Sequence, residues 1–172
     1  MSAHDDDHDP VSTRRAAVAE AAGRFGVDHR ETLSRRNLLG FALHRADRPA
    51  EAARELRAAK DDCARALGAT DAETLFSRRL LTHVLLDSGE LPEAEREQRA
   101  LVEASVTALG EHHPTTLGRR VNHGVVLHRL GRLEDAEREQ RATLEVCADV
   151  LGADHPVTVG CRRSLEAIRG AG

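Results

Sequence analysis

Ten histidines, three cysteines and 24 arginines are the residues of this chain with chemistry to offer. Histidine and cysteine hold metals or move protons, and arginine grips carboxylates through a planar fork of donors. Spacing gives the first kind of chemistry little support. His4-Asp5-Asp6-Asp7-His8-Asp9 is rich in ligand atoms, but an acidic segment without fixed geometry does not build a metal site. His113 and His155 lie 42 residues apart, each before a proline, which is the pattern of a structural cap. His44, His83 and His128 fall in three different repeats, too far apart to share a metal ion. Cys63 and Cys147 lie 84 apart with Ser105 midway, as small packing residues would. Cys161 stands alone, and no Cys-x-x-Cys pair, phosphate loop, Gly-x-Ser-x-Gly or dinucleotide fingerprint is present. No catalytic residue, metal or cofactor is assigned.

The composition narrows the class. Of 172 residues 40% are hydrophobic, mostly Ala, Leu and Val, with three Phe and neither Trp nor Tyr. Ala and Leu favour close-packed helices, while the β-branched and aromatic residues that sheets need are sparse. Base stacking lacks its aromatic platforms. Net charge is −4, so there is no global basic field for nucleic acid. The longest apolar run, Leu38 to Leu43, is far short of the ~20 residues that cross a membrane. The N-terminus lacks a signal-peptide core, and unpaired-looking cysteines fit a reducing cytoplasm. A soluble, cytoplasmic, all-α protein is expected.

The elements that must position these residues repeat. Gly26, Gly68, Gly110 and Gly152 are spaced by 42, as are Thr32, Thr74, Thr116 and Thr158, and Arg36, Arg78, Arg120 and Arg162. Ala94-Glu95-Arg96-Glu97-Gln98-Arg99-Ala100 recurs unchanged at 136–142. Each period reads as two helices. In the third copy the first spans about 116–130 and the second about 134–150, with a turn at Gly131-Arg132. Gly40, Thr82 and Gly124 place a small residue where two helices approach closely. The expected organisation is a disordered acidic tail over 1–11 and one solenoid domain over 12–169. That domain divides into a half repeat 12–25, full repeats 26–67, 68–109 and 110–151, and a half repeat 152–169, giving about eight helices.

Leu109-Gly110, His113-Pro114, Thr116-Leu117, Arg120, Asn122, Gly131-Arg132 and Asp135-Ala136-Glu137 resemble a kinesin light chain-type tetratricopeptide repeat (TPR), a kind common in bacterial proteins. The resemblance spans roughly 12–169. It implies a right-handed superhelix of antiparallel helix pairs whose first helices line a concave groove for extended peptides. Family repeats carry paired Asn on that face; here only Asn37 and Asn122 stand, beside Leu38 and Val121.

Helical spacing gives the expected groove: Asn37, Phe41, His44 and Arg45; Phe76, Arg79 and His83; Val121, Asn122, Val125, His128 and Arg129; and Arg163. Arginines beside apolar anchors suit an acidic or carboxylate-bearing segment, so the expected partner is a protein or peptide, with neither nucleic acid nor membrane. Asp5, Asp6, Asp7 and Asp9 form a solubilising tail, or occupy that groove. Two alternatives stay open: a small-molecule-binding or catalytic protein using groove His and Arg, and a self-assembling module whose terminal helices, exposing Leu165 and Ile168, build a homo-oligomer.

Overall fold

Local signals start several helices of the chain. In the computed structural model, which describes residues 9–170, Asp9 caps α1 (Pro10–Phe25). Its carboxylate accepts from the backbone N–H groups of Val11 and Ser12 at 3.0 and 3.2 Å. Pro10 fills the first turn, where a missing N–H costs nothing. The chain continues through α2 (Arg30–Arg45), α3 (Pro49–Leu67), α4 (Ala72–Asp87), α5 (Leu91–Leu109), α6 (Pro114–Arg129), α7 (Leu133–Leu151) and α8 (Pro156–Gly170). The fold is all-α, and no strand occurs among the described residues. The expected acidic tail lies outside the described residues up to His8. Pro10 and Val11 belong to α1, and Val11 is buried.

The 42-residue register explains the caps. The Nδ1 atoms of His29, His113 and His155 accept from the backbone N–H two residues on, at 3.2, 3.1 and 3.2 Å. Asp71 makes the same bond through a carboxylate oxygen at 2.9 Å. A backbone N–H can only donate, so each ring presents a lone pair there, and these histidines start helices. One residue type recurs for a second structural reason. Thr32, Thr74, Thr116 and Thr158 are all buried. Thr32 and Thr74 donate to the carbonyls of Gly26 and Gly68 at 2.7 and 2.8 Å, and Thr116 and Thr158 to those of Ser105 and Cys147 at 3.4 and 3.3 Å. The tight turn between paired helices demands a left-handed residue, supplied by Asp47, Gly89 and Gly131 at φ 57°, 76° and 76°.

The helices cluster into two compact units, Met1–Val84 and Leu85–Gly172, divided within α4. In the first, α2 packs against α1 and α3. Leu33, Leu43, Leu56 and Ala52 close its core. The expected close approach occurs here: a Cβ on Gly40 would sit 2.5 Å from Leu56 Cγ. In the second unit α6 packs against α5, α7 and α8, and a Cβ on Gly124 would meet the Gln140 amide at 2.5 Å. Gln140 is fully buried, donating to the Val121 carbonyl at 2.7 Å and to Ser164 Oγ at 2.9 Å.

One expectation is corrected here. Leu165 and Ile168 are not exposed on the terminal helix; they are 6% and 4% accessible. The face of α8 that carries them turns inward, where Ile168 clusters with Leu127 and Ala136, and outward stand Arg162, Arg163, Glu166 and Arg169. Among the described residues no helix is long and apolar enough to cross a membrane.

Candidate functional site

The sequence stripe meets a cleft in the Met1–Val84 unit. Leu38, Phe41, His44 and Arg45 on α2 face Phe76, Arg79, Leu80 and His83 on α4 across a volume of about 430 Å³, a size that accommodates side chains of a bound segment. Leu56 and Val84 complete its floor. Spacing of three and four residues puts Leu38, Phe41 and Arg45 on one side of α2, and Phe76, Leu80 and His83 on one side of α4. Phe41 stays 46% exposed although it is the largest apolar residue of its helix. The Arg79 guanidinium lies 5.1 Å from the centre of the Phe76 ring, a cation–π arrangement that holds the charge at the cleft edge.

A second cleft of about 440 Å³ shares Leu38, Phe41 and Arg45 and adds Pro10, Arg14, Ala42 and Ala46. Phe41 and Arg45 thus form a ridge between two apolar depressions. Among the described residues no carboxylate lines either one. Elsewhere in the same unit six arginines meet carboxylates. Arg15, Arg48 and Glu51 form one cluster, Arg30 faces Asp71, and Arg35 faces Glu31. Arg36 reaches Glu55 and Asp62, and Arg65 reaches Asp28 and Asp62. Those contacts hold Asp62, Asp71 and Glu51 below the usual carboxylate range, through hydrogen bonds to Arg36, Arg30 and Arg48 respectively. Arg14, Arg45 and Arg79 have no carboxylate partner among the described residues.

The remaining stripe residues divide. Asn37 is fully buried instead of lining the cleft. Its amide donates to the Glu73 carboxylate at 3.0 Å and its oxygen accepts from Ser77 at 2.6 Å, so it fastens α2 to α4. In the Leu85–Gly172 unit Asn122, Val125 and Arg163 are exposed, and Val121 and His128 half-buried. Arg129 donates to the Leu86 carbonyl at 2.8 Å. That carbonyl lies in the last turn of α4, where carbonyls lack helical partners, so Arg129 serves as a helix cap. Pro10 and Arg14 were not anticipated; their spacing of four on α1 is the signal that marks them.

The thiols are inert. Cys63, Cys147 and Cys161 are free and buried. Burial raises all three, and Cys161 is pushed up to about 12, with the neighbouring Cys147 and Glu139 adding to it. Among the described residues no cluster of His, Cys, Asp and Glu is arranged to hold a metal ion.

Comparison with known proteins bears on the fold. Residues 116–157 match the family described as tetratricopeptide repeat. No curated protein sequence matches the chain. Among solved structures, the nearly identical TPR-like repeats of a Podosopora anserina protein named as a kinesin light chain superimpose with a TM-score of 0.84, at 20% identity, over 94% of this chain and 76% of that one; a single-residue variant of the same protein gives the same values. BtubC (BKLC) from P. vanneervenii follows at a TM-score of 0.72 and 17% identity, over 94% of this chain and 65% of that one. Such a fold is consistent with a protein-interaction scaffold. Residues 116–157 thus match the tetratricopeptide repeat family, and the chain is similar in fold to solved TPR-like repeat structures named for kinesin light chains.

Proposed function

We propose that this protein is a binding scaffold whose two adjoining clefts in the Met1–Val84 unit hold an extended, acidic segment of a partner protein. The observation that carries the reading is the contrast in arginine pairing. Six arginines of that unit outside the clefts meet carboxylates, whereas Arg14, Arg45 and Arg79 border apolar floors lined by none. Charge left uncompensated beside an apolar depression gains most from a ligand that supplies both an apolar side chain and a carboxylate. Leu38, Leu80 and the two Phe would take the apolar group, and the three Arg would receive the carboxylates. In the Leu85–Gly172 unit Val125 and Asn122 are exposed, and Asn122 is able to meet a peptide main chain.

A selection of random peptides on the full chain tests this. The expected outcome is enrichment of Asp or Glu within a few residues of Phe, Leu or Met, with binding that weakens as salt rises. Enrichment of basic peptides, or none at all, would contradict the reading.

A further inference from the structure

One cluster lies outside both clefts and departs from the repeat. His123 on α6 stands between carboxylates of the two helices that flank it. Its Nε2 is 3.4 Å from Glu95 Oε1 on α5, and its Nδ1 is 3.7 Å from Glu139 Oε1 on α7. The side chains of His123, Glu95 and Glu139 are 15%, 13% and 33% accessible. One and two periods earlier the same position holds Leu81 and Leu39, both buried. The fold therefore accepts an apolar residue at this position, and a histidine there answers some other need.

We propose that His123 is a protonation-operated clamp of the Leu85–Gly172 unit: its imidazolium ties α5 and α7 to α6, and loss of the proton releases one of the two. The reasoning is one of donors. An imidazolium has two N–H groups and satisfies both carboxylates, whereas neutral imidazole has one and must turn a lone pair toward the other carboxylate. Two carboxylates are then left in a half-buried space without a cation between them. Other charged groups stand on the same helices and on α8. Arg99 on α5 reaches Glu95 Oε1 only at 3.9 Å, Arg119 on α6 is turned to Ser105, and on α8 Arg162 and Arg169 are directed to the Ala153 carbonyl and to Glu137. The neighbouring Glu139 carboxylate raises His123 above the ordinary imidazole value, against burial, with Glu95 helping. A group raised by folding contributes its stabilisation fully below its unfolded value, near 6.5, and loses it as pH climbs through the folded value.

The test is made on the full chain by two readouts. Proton NMR follows the His123 ring with pH, and amide hydrogen exchange, corrected for the intrinsic rate, follows α5, α6 and α7. The ring is expected to titrate above 6.5, with protection of these helices falling as pH crosses that value, by about tenfold for each unit of displacement. His123→Leu matches the other repeats and is expected to remain folded and to lose this fall. Titration at or below 6.5, or an unchanged fall in His123→Leu, overturns the clamp. If His123→Leu does not fold, Glu139→Gln decides: it must bring the ring's titration down and shrink the fall, and an unchanged ring overturns the clamp.

Discussion

Reversing both Arg45 and Arg79 to Glu is expected to weaken binding of an acidic segment roughly 30-fold or more. An exposed ion pair contributes up to about 1 kcal/mol. Two such pairs lost, with repulsion in their place, amount to about 2 kcal/mol, which corresponds to that change in Kd. Helicity and thermal midpoint are expected to stay near those of the native chain, because neither arginine is paired with a carboxylate among the described residues. Arg45→Lys with Arg79→Lys keeps the charge and loses the fork, so an intermediate affinity is expected. Titration calorimetry at two salt concentrations checks all three forms. Equal affinity for native and reversed chains would show that the clefts are not the binding surface.

The second large effect is on stability. Gly40→Ala is expected to destabilise the protein, although alanine is the better helix former. The added Cβ would stand 2.5 Å from Leu56 Cγ and 2.6 Å from its Cδ2. Those atoms belong to a fully buried leucine, whose side chain must shift to admit the methyl. Overpacking of this kind costs about 1–3 kcal/mol, against a gain of about 1 kcal/mol in helix propensity. Gly40→Val removes most of that gain and adds two more methyls, so a larger loss is expected. Gly23 in α1 supplies the opposite case, since a Cβ there meets nothing within 4 Å. Gly23→Ala is expected to raise stability by about 0.5–1 kcal/mol. Thermal melts resolve the pair, because each kcal/mol moves the midpoint of a chain this size by about 2–4 °C. A midpoint raised by Gly40→Ala would refute the close packing of α2 on α3.

What could be read in the residues themselves follows from the repeat. A 42-residue period forces each recurring residue into one structural part, so Thr32 and its successors, the turn at Asp47, and the cap histidines were legible before any packing was known. The stripe logic also found Phe41, Arg45, Phe76 and Arg79, because exposed positions on one helical face follow from spacing alone. It failed where a short or long side chain reaches across to a neighbour. Asn37 shares its register with Arg79 and Val121, yet its amide is short enough to turn into the seam with Glu73 and Ser77. Arg129 is long enough to find an unpartnered helix carbonyl. Spacing alone leaves Leu165 and Ile168 uncovered at the last helix of the array, but α6 and α7 bury that face. Pro10 and Arg14 escape the stripe because α1 is only half of a repeat, although the cleft it shares with α2 needs no second helix.

The central claim is that the Phe41–Arg45 ridge and its two clefts are where a partner segment lies. Backbone amide shift mapping of the full chain, titrated with an acidic peptide carrying one Phe or Leu, tests it most directly. The account predicts the largest shifts at Leu38–Ala46 and Phe76–Val84, with smaller ones near Arg14, and their disappearance in Phe41→Ala. Shifts concentrated on the outer face of α3, or spread evenly over the chain, would contradict it.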